Sequence, residues 1–288
     1  MVWGLLIALI LLGVLLERLG HRRRFAQANL ARQRALEQIR LLRLLLEQVQ
    51  RHRGLCFGIM SGEVSLESQR STAHLNVEEL FLSLEDHEAT LFWYAPWHAV
   101  LPMWRDIEQR LQFDSPEAVL KRHHRLVESL LDTIEAIADK HDLVCLGRLA
   151  PQPLGLWLEL LKNTELLGRA RAVGTGIAAR RQNTVLQHDE LRKLREQIND
   201  RAYLAPVKLN ADPELNPHIS QAVRAAEDCL DELINGIDSL LANLLEPGMP
   251  SNRFFQLASR AIAAQMMLID MLLDRLPREA QPGSLRLD

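Results

Sequence analysis

Cysteine and lysine are scarce in this sequence of 288 residues. The three cysteines, Cys56, Cys145 and Cys229, are far apart and form no CxxC pair, so we expect neither a disulfide framework nor a zinc site. Three reduced thiols favour a body that faces the cytoplasm. Lysine supplies only five of the 34 basic residues. The remaining arginines are well suited to bind planar anions, although a GC-rich genome produces the same excess.

Catalytic motifs and a one-sided charge are lacking as well. The net charge of −3 at pH 7 argues against the global positive field that is typical of nucleic-acid binding. His87-Glu88 lacks the second histidine of a zinc-protease motif, and the glycines in 174–179 follow no strand, unlike those of a dinucleotide fingerprint. The adjacent His123 and His124 diverge by about 100° on a helix, so we expect solvated side chains rather than a metal pair. The sequence therefore predicts no enzyme, no cofactor and no bound metal.

Strand signals are absent too, since no β-branched run alternates with period two and no Asn-Gly hairpin occurs. Apolar residues instead recur at helical spacing between clusters of proline and glycine. Ser115 followed by Pro116 is typical of a helix start. Many long helices with short connections predict an all-α fold of up-and-down antiparallel helical bundles. The predicted helices span residues 25–60, 63–94, 98–112, 116–140, 154–181, 184–203, 214–245 and 252–276.

The N-terminal segment is a long apolar run. Residues 2–16 carry no charge and span about 22 Å as a helix, and continuation to Gly20 reaches the ~30 Å of a hydrocarbon core. Arginines at 22–24 follow, so the positive-inside rule predicts a single-pass anchor in the inner (cytoplasmic) membrane with the soluble part in the cytoplasm. The predicted order is a transmembrane anchor at 1–20, a basic juxtamembrane helix start at 21–34, a helical domain at 35–276 and a disordered tail at 277–288.

The sequence also repeats itself at an offset of 118 residues. Internal repeats indicate related structural units, so we expect two related helical halves, at about 35–145 and 154–276. This repeat includes charged residues and glycines as well as apolar ones. The identical pairs are Glu47/Glu165, Arg51/Arg169, Arg53/Arg171, Gly58/Gly176, Ile59/Ile177 and Gln69/Gln187.

Two of the repeated arginines continue apolar rows on their helices. Because a buried arginine without a partner costs several kcal/mol, Arg53 and Arg171 each require a carboxylate from another helix or a bound anion. No acidic residue lies on either row, and glycines nearby leave room for a ligand or for close helix packing. The first row is Ile39, Leu42, Leu46, Val49, Arg53, Cys56 and Met60, and the second is Trp157, Leu160, Thr164, Leu167, Arg171, Gly174 and Ala178.

Three further arginines are weaker candidates. Arg51 and Arg169 each follow a glutamate, Glu47 or Glu165, by four residues. This spacing predicts a solvated intrahelical ion pair that contributes about 0.2–0.5 kcal/mol. Arg260 lies on an apolar face of the last predicted helix, whose opposite face is apolar too. We therefore expect that helix to be buried all round.

Three segments resemble the NIT domain, the nitrate- and nitrite-sensing domain of bacterial receptors. They are QRHRGLCFGIMSG at 50–62, GRARAVGTGIAAR at 168–180 and PSNRFFQLASRAIAAQMMLID at 250–270. The resemblance covers about residues 35–276. It implies a pair of four-helix bundles that hold nitrate or nitrite between helices through arginines from distant parts of the chain. The matching residues are Arg53, Arg171, Arg260, Arg51 and Arg169.

Together with the predicted anchor, the resemblance implies a membrane-tethered sensor that binds a small planar anion and signals by helix displacement. We expect the output to lie in a signalling partner protein in trans, or in a homodimer formed through the first helix and the anchor, rather than in a cis output domain. The alternative is a helical-bundle scaffold or interaction protein without a small-molecule ligand. Such a scaffold shares every feature above except a need for unpaired core arginines.

Overall fold

A computed structural model describes residues 2–146, 152–180, 184–242 and 248–276, and leaves the side chains of residues 2–12 and 14 outside the description. Every regular element in these ranges is helical, which confirms the predicted all-α class. The α-helices are α1 Val2–Met60, α2 Glu67–Leu84, α3 Glu88–Leu91, α4 Val100–Arg110, α5 Pro116–Lys140, α6 Leu156–Ala179, α7 Val185–Arg201, α8 Leu204–Ala211, α9 Asn216–Leu241 and α10 Ser251–Leu273.

Local sequence signals explain several of the helix ends. Ser115 caps α5 by accepting a hydrogen bond from the Ala118 amide, with Pro116 at the first helical position, as predicted. The prediction of one helix over 63–94 is wrong, because a 3₁₀ turn at Glu85–His87 separates α2 from the single turn of α3. The sequence reasoning also missed α8. Its Pro206 falls in the first turn, where the missing N–H breaks no helical hydrogen bond.

The helices form two four-helix groups. The first bundle consists of α2, α4 and α5 packed around the C-terminal part of α1, and the second bundle consists of α6, α7, α9 and α10. The two bundles meet where α1 packs against α6, the helices that carry the repeated segments. The fold therefore brings the two copies of the repeat face to face.

Glycines permit the close approach of α1 and α6. A Cβ atom on Gly58 would lie 2.9 Å from Thr175 Cγ2, and a Cβ on Gly176 would lie 2.2 Å from the Phe57 ring. At the offset of 118, Gly176 corresponds to Gly58 and Thr175 to Phe57. The same contact thus occurs twice with its sides exchanged, which is the pattern of an approximate twofold relation between the helices.

The apolar rows are confirmed, since every member of both except Met60 is buried. Two burial predictions are wrong. His123 is fully buried rather than solvated, because its side of α5 faces α1. The helix over 252–276 is not buried all round, because α10 packs on α6 and α9 while the Met267 and Arg260 side chains stay exposed.

The apolar N-terminal run forms the beginning of α1. Among the described residues, no helix has both the length and the hydropathy that crossing a bilayer requires. The side chains of the predicted anchor at 1–20 lie largely outside the described residues, as does the whole of the predicted tail at 277–288.

Candidate functional site

Arg53 meets a carboxylate from the other bundle. Its side chain is fully buried, and its two terminal nitrogens donate to Glu165 Oε1 and Oε2 at 2.6 and 3.0 Å. Gln50 donates to the same carboxylate at 3.0 Å. Gly168 leaves the space, because a Cβ there would lie 2.7 Å from Arg53 Nη2. Of the two alternatives for Arg53, the structure has the carboxylate.

Arg171 meets no such partner. It is 3% exposed, and its one hydrogen bond among the described residues runs from Nη1 to Ser259 Oγ on α10, at 3.0 Å. The guanidinium carbon lies 5.0 Å from the centre of the Phe255 ring. Nε and Nη2 are buried and have no acceptor in the described part of the chain, where no carboxylate oxygen comes within 4.0 Å. A buried cation with two unused donors is a candidate binding site for a small anion.

The approximate twofold relation shows which partner is missing. It converts the Arg53–Glu165 pair into a pair between Arg171 and Glu47. Glu47 instead accepts from Arg43, one turn before it on α1, at 3.1 Å. The residue that corresponds to Arg43 in the second half is Leu161, which cannot hold Glu165 in this way. Arg43, which has no arginine counterpart in the second half, thus holds the carboxylate that the twofold relation assigns to Arg171.

Charges of both signs act on Arg171, and the two arginines have the larger effect. Burial, together with the charges of Arg53 and Arg51, lowers the pKa of Arg171 to about 9, against the opposite effect of Glu47 and Glu165. That pKa still lies above neutrality, so the side chain is charged at pH 7. Three guanidinium groups close enough to influence each other favour a bound anion, which would reduce their mutual repulsion.

The intrahelical pairs predicted for Arg51 and Arg169 do not form. Glu47 binds Arg43, and Glu165 binds Arg53 across the bundle interface. Arg51 is half-buried and has no carboxylate within 4.0 Å in the described ranges. Arg169 reaches Glu190 of α7 at 3.9 Å. Interhelical packing therefore decides the partner of Glu165, whereas Glu47 pairs with another arginine of its own helix. Arg51 is near enough for its charge to lower the pKa of Arg171.

The structure does not bring Arg260 to this site. Its side chain is 63% exposed and donates to Glu232 of α9 at 2.6 Å. The residues of α10 that do reach Arg171 are Ser259 and Phe255, which sequence reasoning missed. They are four residues apart and share a helix face, so a serine within an otherwise apolar row was the signal that could have identified them.

Comparisons with known proteins agree with the fold. A family model described as nitrate and nitrite sensing, NIT, matches residues 44–276. A solved structure, that of the NasR transcription antiterminator, is similar with a TM-score of 0.58 at 17% identity, over 89% of this chain and 73% of that one. At this identity the likeness concerns the fold alone. No curated protein matches the chain by sequence.

Proposed function

The chain belongs to the nitrate- and nitrite-sensing NIT family, and from that premise we propose that it binds nitrate or nitrite at Arg171, between α1, α6 and α10, and signals by displacing α1 against α6. One observation carries this proposal. Arg171 is a buried cation with two unused donors, and no described carboxylate reaches it. A scaffold without a ligand has no need of such a group, because a buried unpaired charge costs several kcal/mol.

Nitrate and nitrite match the groups that Arg171 offers. Both are small planar monoanions, and two of their oxygens can accept from the two adjacent N–H donors of a guanidinium fork. Nitrate has four heavy atoms, so at the ceiling of about 1.5 kcal/mol per atom its dissociation constant is no tighter than roughly tens of micromolar. Chloride lacks the second acceptor and is expected to bind less tightly.

Anion binding is coupled to the bundle interface through charge. Arg171 and Glu165 lie on α6, whereas Arg51 and Arg53 lie on α1. Without an anion, the repulsion among the three arginines is offset only in part by Glu47 and Glu165. A bound anion lowers that repulsion and favours closer packing of α1 on α6. The population of the closely packed arrangement rises only to the extent that the anion binds it more tightly than the looser one.

The test measures the thermal unfolding of the full chain in mild detergent with nitrate, nitrite, chloride or sulfate at equal ionic strength. If nitrate binds with a dissociation constant near 50 μM, a concentration of 5 mM stabilises the fold by about 2.7 kcal/mol. For a chain of this size we expect the Tm to rise by about 5 °C. Equal shifts in all four salts would favour the scaffold instead.

A pair of variants assigns the site. Arg171→Met keeps the size of the side chain and removes the donors, so it is expected to abolish the nitrate shift. Arg260→Met, on the exposed face of α10, is the matched control and is expected to leave the shift unchanged. A nitrate shift that survives Arg171→Met, or one that Arg260→Met removes, would contradict the assignment.

Attachment to the inner membrane through residues 1–20 belongs to the same proposal, with a partner protein or a second copy of the chain receiving the signal in the cytoplasm. The support is the uncharged run at 2–16 followed by the arginines at 22–24. Fractionation of cells tests it. The full chain is expected in the membrane pellet, and Ile10→Lys is expected to move it to the supernatant. Recovery of the unaltered chain in the supernatant would overturn the tether.

A further inference from the structure

Three metal-ligating side chains meet inside the first bundle, where anion sensing makes no use of them. His52 and Cys56 lie one turn apart on α1, and His123 faces them from α5. One donor atom from each lies within 4.8 Å of the donor atoms of the other two. None of the three residues is more than 1% exposed. Imidazole nitrogen and cysteine sulfur are the donors that late transition metals prefer.

The hydrogen bonds fix the orientation of these groups. His123 Nδ1 lies 2.8 Å from the Val119 carbonyl oxygen, which can only accept, so the proton is on Nδ1. His123 Nε2 therefore carries a lone pair and accepts from His52 Nδ1 at 3.0 Å. The Cys56 sulfur lies 3.6 Å from the ring nitrogens of His52 and donates to the remaining one, Nε2. This arrangement of donors and acceptors requires that both imidazole rings are neutral. Burial favours the neutral form, because it lowers the pKa of both histidines, that of His123 to about 4.

His123 has the arrangement that is usual for a metal ligand. A histidine that binds a metal generally donates its other ring N–H to a carbonyl or carboxylate, which orients the ring and raises its basicity. The Val119 carbonyl serves this purpose, and it directs His123 Nε2 at His52. On the other side of His52, the Trp104 ring packs edge-on at 5.0 Å between ring centres and restricts the imidazole.

From this geometry we propose that His52, Cys56 and His123 form a binding site for a cuprous ion. Metal–nitrogen and metal–sulfur bonds of about 2.0 and 2.3 Å place three ligands at trigonal angles roughly 3.5–3.7 Å apart. The sulfur is already at that separation from His52, and the two imidazoles need to part by about 0.5 Å to reach it. The α1–α5 interface therefore requires only a small adjustment.

Coordination number and charge favour Cu(I) over Zn(II). Zinc with three protein ligands takes a water as its fourth ligand, and the three side chains here are each no more than 1% exposed. The group contains no fourth carboxylate, imidazole or thiolate among the described residues. Cu(I) is soft, which suits the thiolate, and it forms a neutral complex with one thiolate and two imidazoles. Zn(II) would leave a net positive charge in a dry site that already faces Arg70.

Binding releases one proton for each ion. The Cys56 thiol loses its proton to His52 Nε2, His52 loses its Nδ1 proton to solvent, and the freed Nδ1, the thiolate and His123 Nε2 bind the metal. Burial raises the pKa of the Cys56 thiol to about 12, so the thiolate forms only when a cation takes the place of its proton. The free protein therefore keeps a neutral, hydrogen-bonded core.

The test is a competition for Cu(I) between the full chain and the chelator bicinchoninate, under anaerobic and reducing conditions. The chain is expected to withdraw one equivalent of Cu(I), and X-ray absorption of the complex is expected to show one sulfur and two nitrogen ligands. Quenching of the buried Trp104 gives an independent optical signal. Failure to withdraw Cu(I), or binding of one equivalent of Zn(II) but not of Cu(I), would overturn the proposal.

Single substitutions tie the ion to these side chains. Cys56→Ser and His123→Asn are each expected to weaken Cu(I) binding at least a hundredfold, while Cys145→Ser and Cys229→Ser, which alter thiols outside the group, retain it. Cys56→Ser changes little in volume, so it gives a result even where His123→Asn does not fold. Strong binding by Cys56→Ser, or its loss in Cys229→Ser, would contradict the assignment. None of these variants alters Arg171, so the nitrate shift is measured separately.

Discussion

The two halves of the repeat carry the same arginine in the same row and use it differently. Arg53 in the first half is buried against Glu165 of the second. Arg171 in the second half is buried against Phe255 and Ser259, without a carboxylate. One arginine thus has a carboxylate from the other bundle, while its counterpart has none among the described residues. Exact symmetry between the halves would give two equivalent ion pairs, and the position without one is the candidate binding site.

The largest effect is expected from removing the ion pair between Arg53 and Glu165. Glu165→Gln keeps the shape of the side chain and removes its charge, which leaves Arg53 buried without a counter-ion. We expect a loss of about 3–5 kcal/mol in the free energy of unfolding, measured with urea. Glu190→Gln is the control, because its contact with the half-exposed Arg169 is 3.9 Å long and contributes less than about 1 kcal/mol. Similar losses in both variants would show that Arg53 does not depend on its pair.

Removing the two arginines in turn should change stability in opposite directions. In nitrate-free buffer, Arg171→Met removes an unpaired buried charge and is expected to stabilise the fold by about 1–2 kcal/mol. Arg53→Met leaves Glu165 largely buried without a cation and is expected to destabilise it. Urea unfolding of the two variants side by side gives the signs. Destabilisation by both would mean that Arg171 has a partner equivalent to Glu165.

Restoring the symmetry of the repeat should supply Arg171 with a carboxylate. Arg43→Leu places in the first repeat the residue type that the second has at 161, and it frees Glu47 to turn toward Arg171. The carboxylate then competes with nitrate, and we expect affinity to fall about tenfold in calorimetric titration. Arg40→Leu removes a solvent-exposed pair with Asp274, one turn earlier on α1, and should leave nitrate affinity unchanged. Unaltered affinity in Arg43→Leu would rule out Arg43 as the cause of the asymmetry.

The smallest effect concerns the glycines beside the two arginines. Gly168→Ala brings a methyl group within 2.7 Å of Arg53 Nη2, which Glu165 holds in place, and is expected to cost about 1–2 kcal/mol. Gly54→Ala brings one to 3.2 Å from the Phe255 ring and 3.5 Å from Arg171 Nε. There the helix propensity of alanine offsets the crowding, so stability should stay within about 0.5 kcal/mol. Thermal unfolding compares the stability of the two variants. A greater loss of stability in Gly54→Ala would contradict the view that Arg53 is held more firmly than Arg171.

Helical periodicity was enough to predict the class of fold and both apolar rows, because the spacing of apolar residues is a property of each helix alone. It also identified Arg53 and Arg171 as exceptions that require an explanation. Periodicity could not decide whether each of these arginines meets a carboxylate or an anion, since that depends on the relative positions of α1 and α6. Local spacing suggested Glu47 for Arg51, whereas the fold gives Glu47 to Arg43.

The same limit explains the errors on Arg260 and His123. The apolar faces of α10 are alike in sequence, and only the positions of α6 and α9 decide which one is buried. The angle between His123 and His124 concerns only those two residues as a joint pair of ligands. It says nothing about a residue 71 positions earlier, and His52 is the side chain that His123 meets.

The unbroken length of α1 has a mechanical consequence. The helix runs from Val2 to Met60 without interruption, and most of residues 15–31 are exposed to solvent rather than packed on either bundle. About 50 residues separate Arg53 from the start of the helix, which is roughly 75 Å at 1.5 Å per residue. A tilt of about 1° at the bundle interface therefore moves the far end by about 1 Å along this arm. In the proposed mechanism, a movement at the bundle interface that is too small to repack either core is therefore enlarged at the N-terminal part of α1.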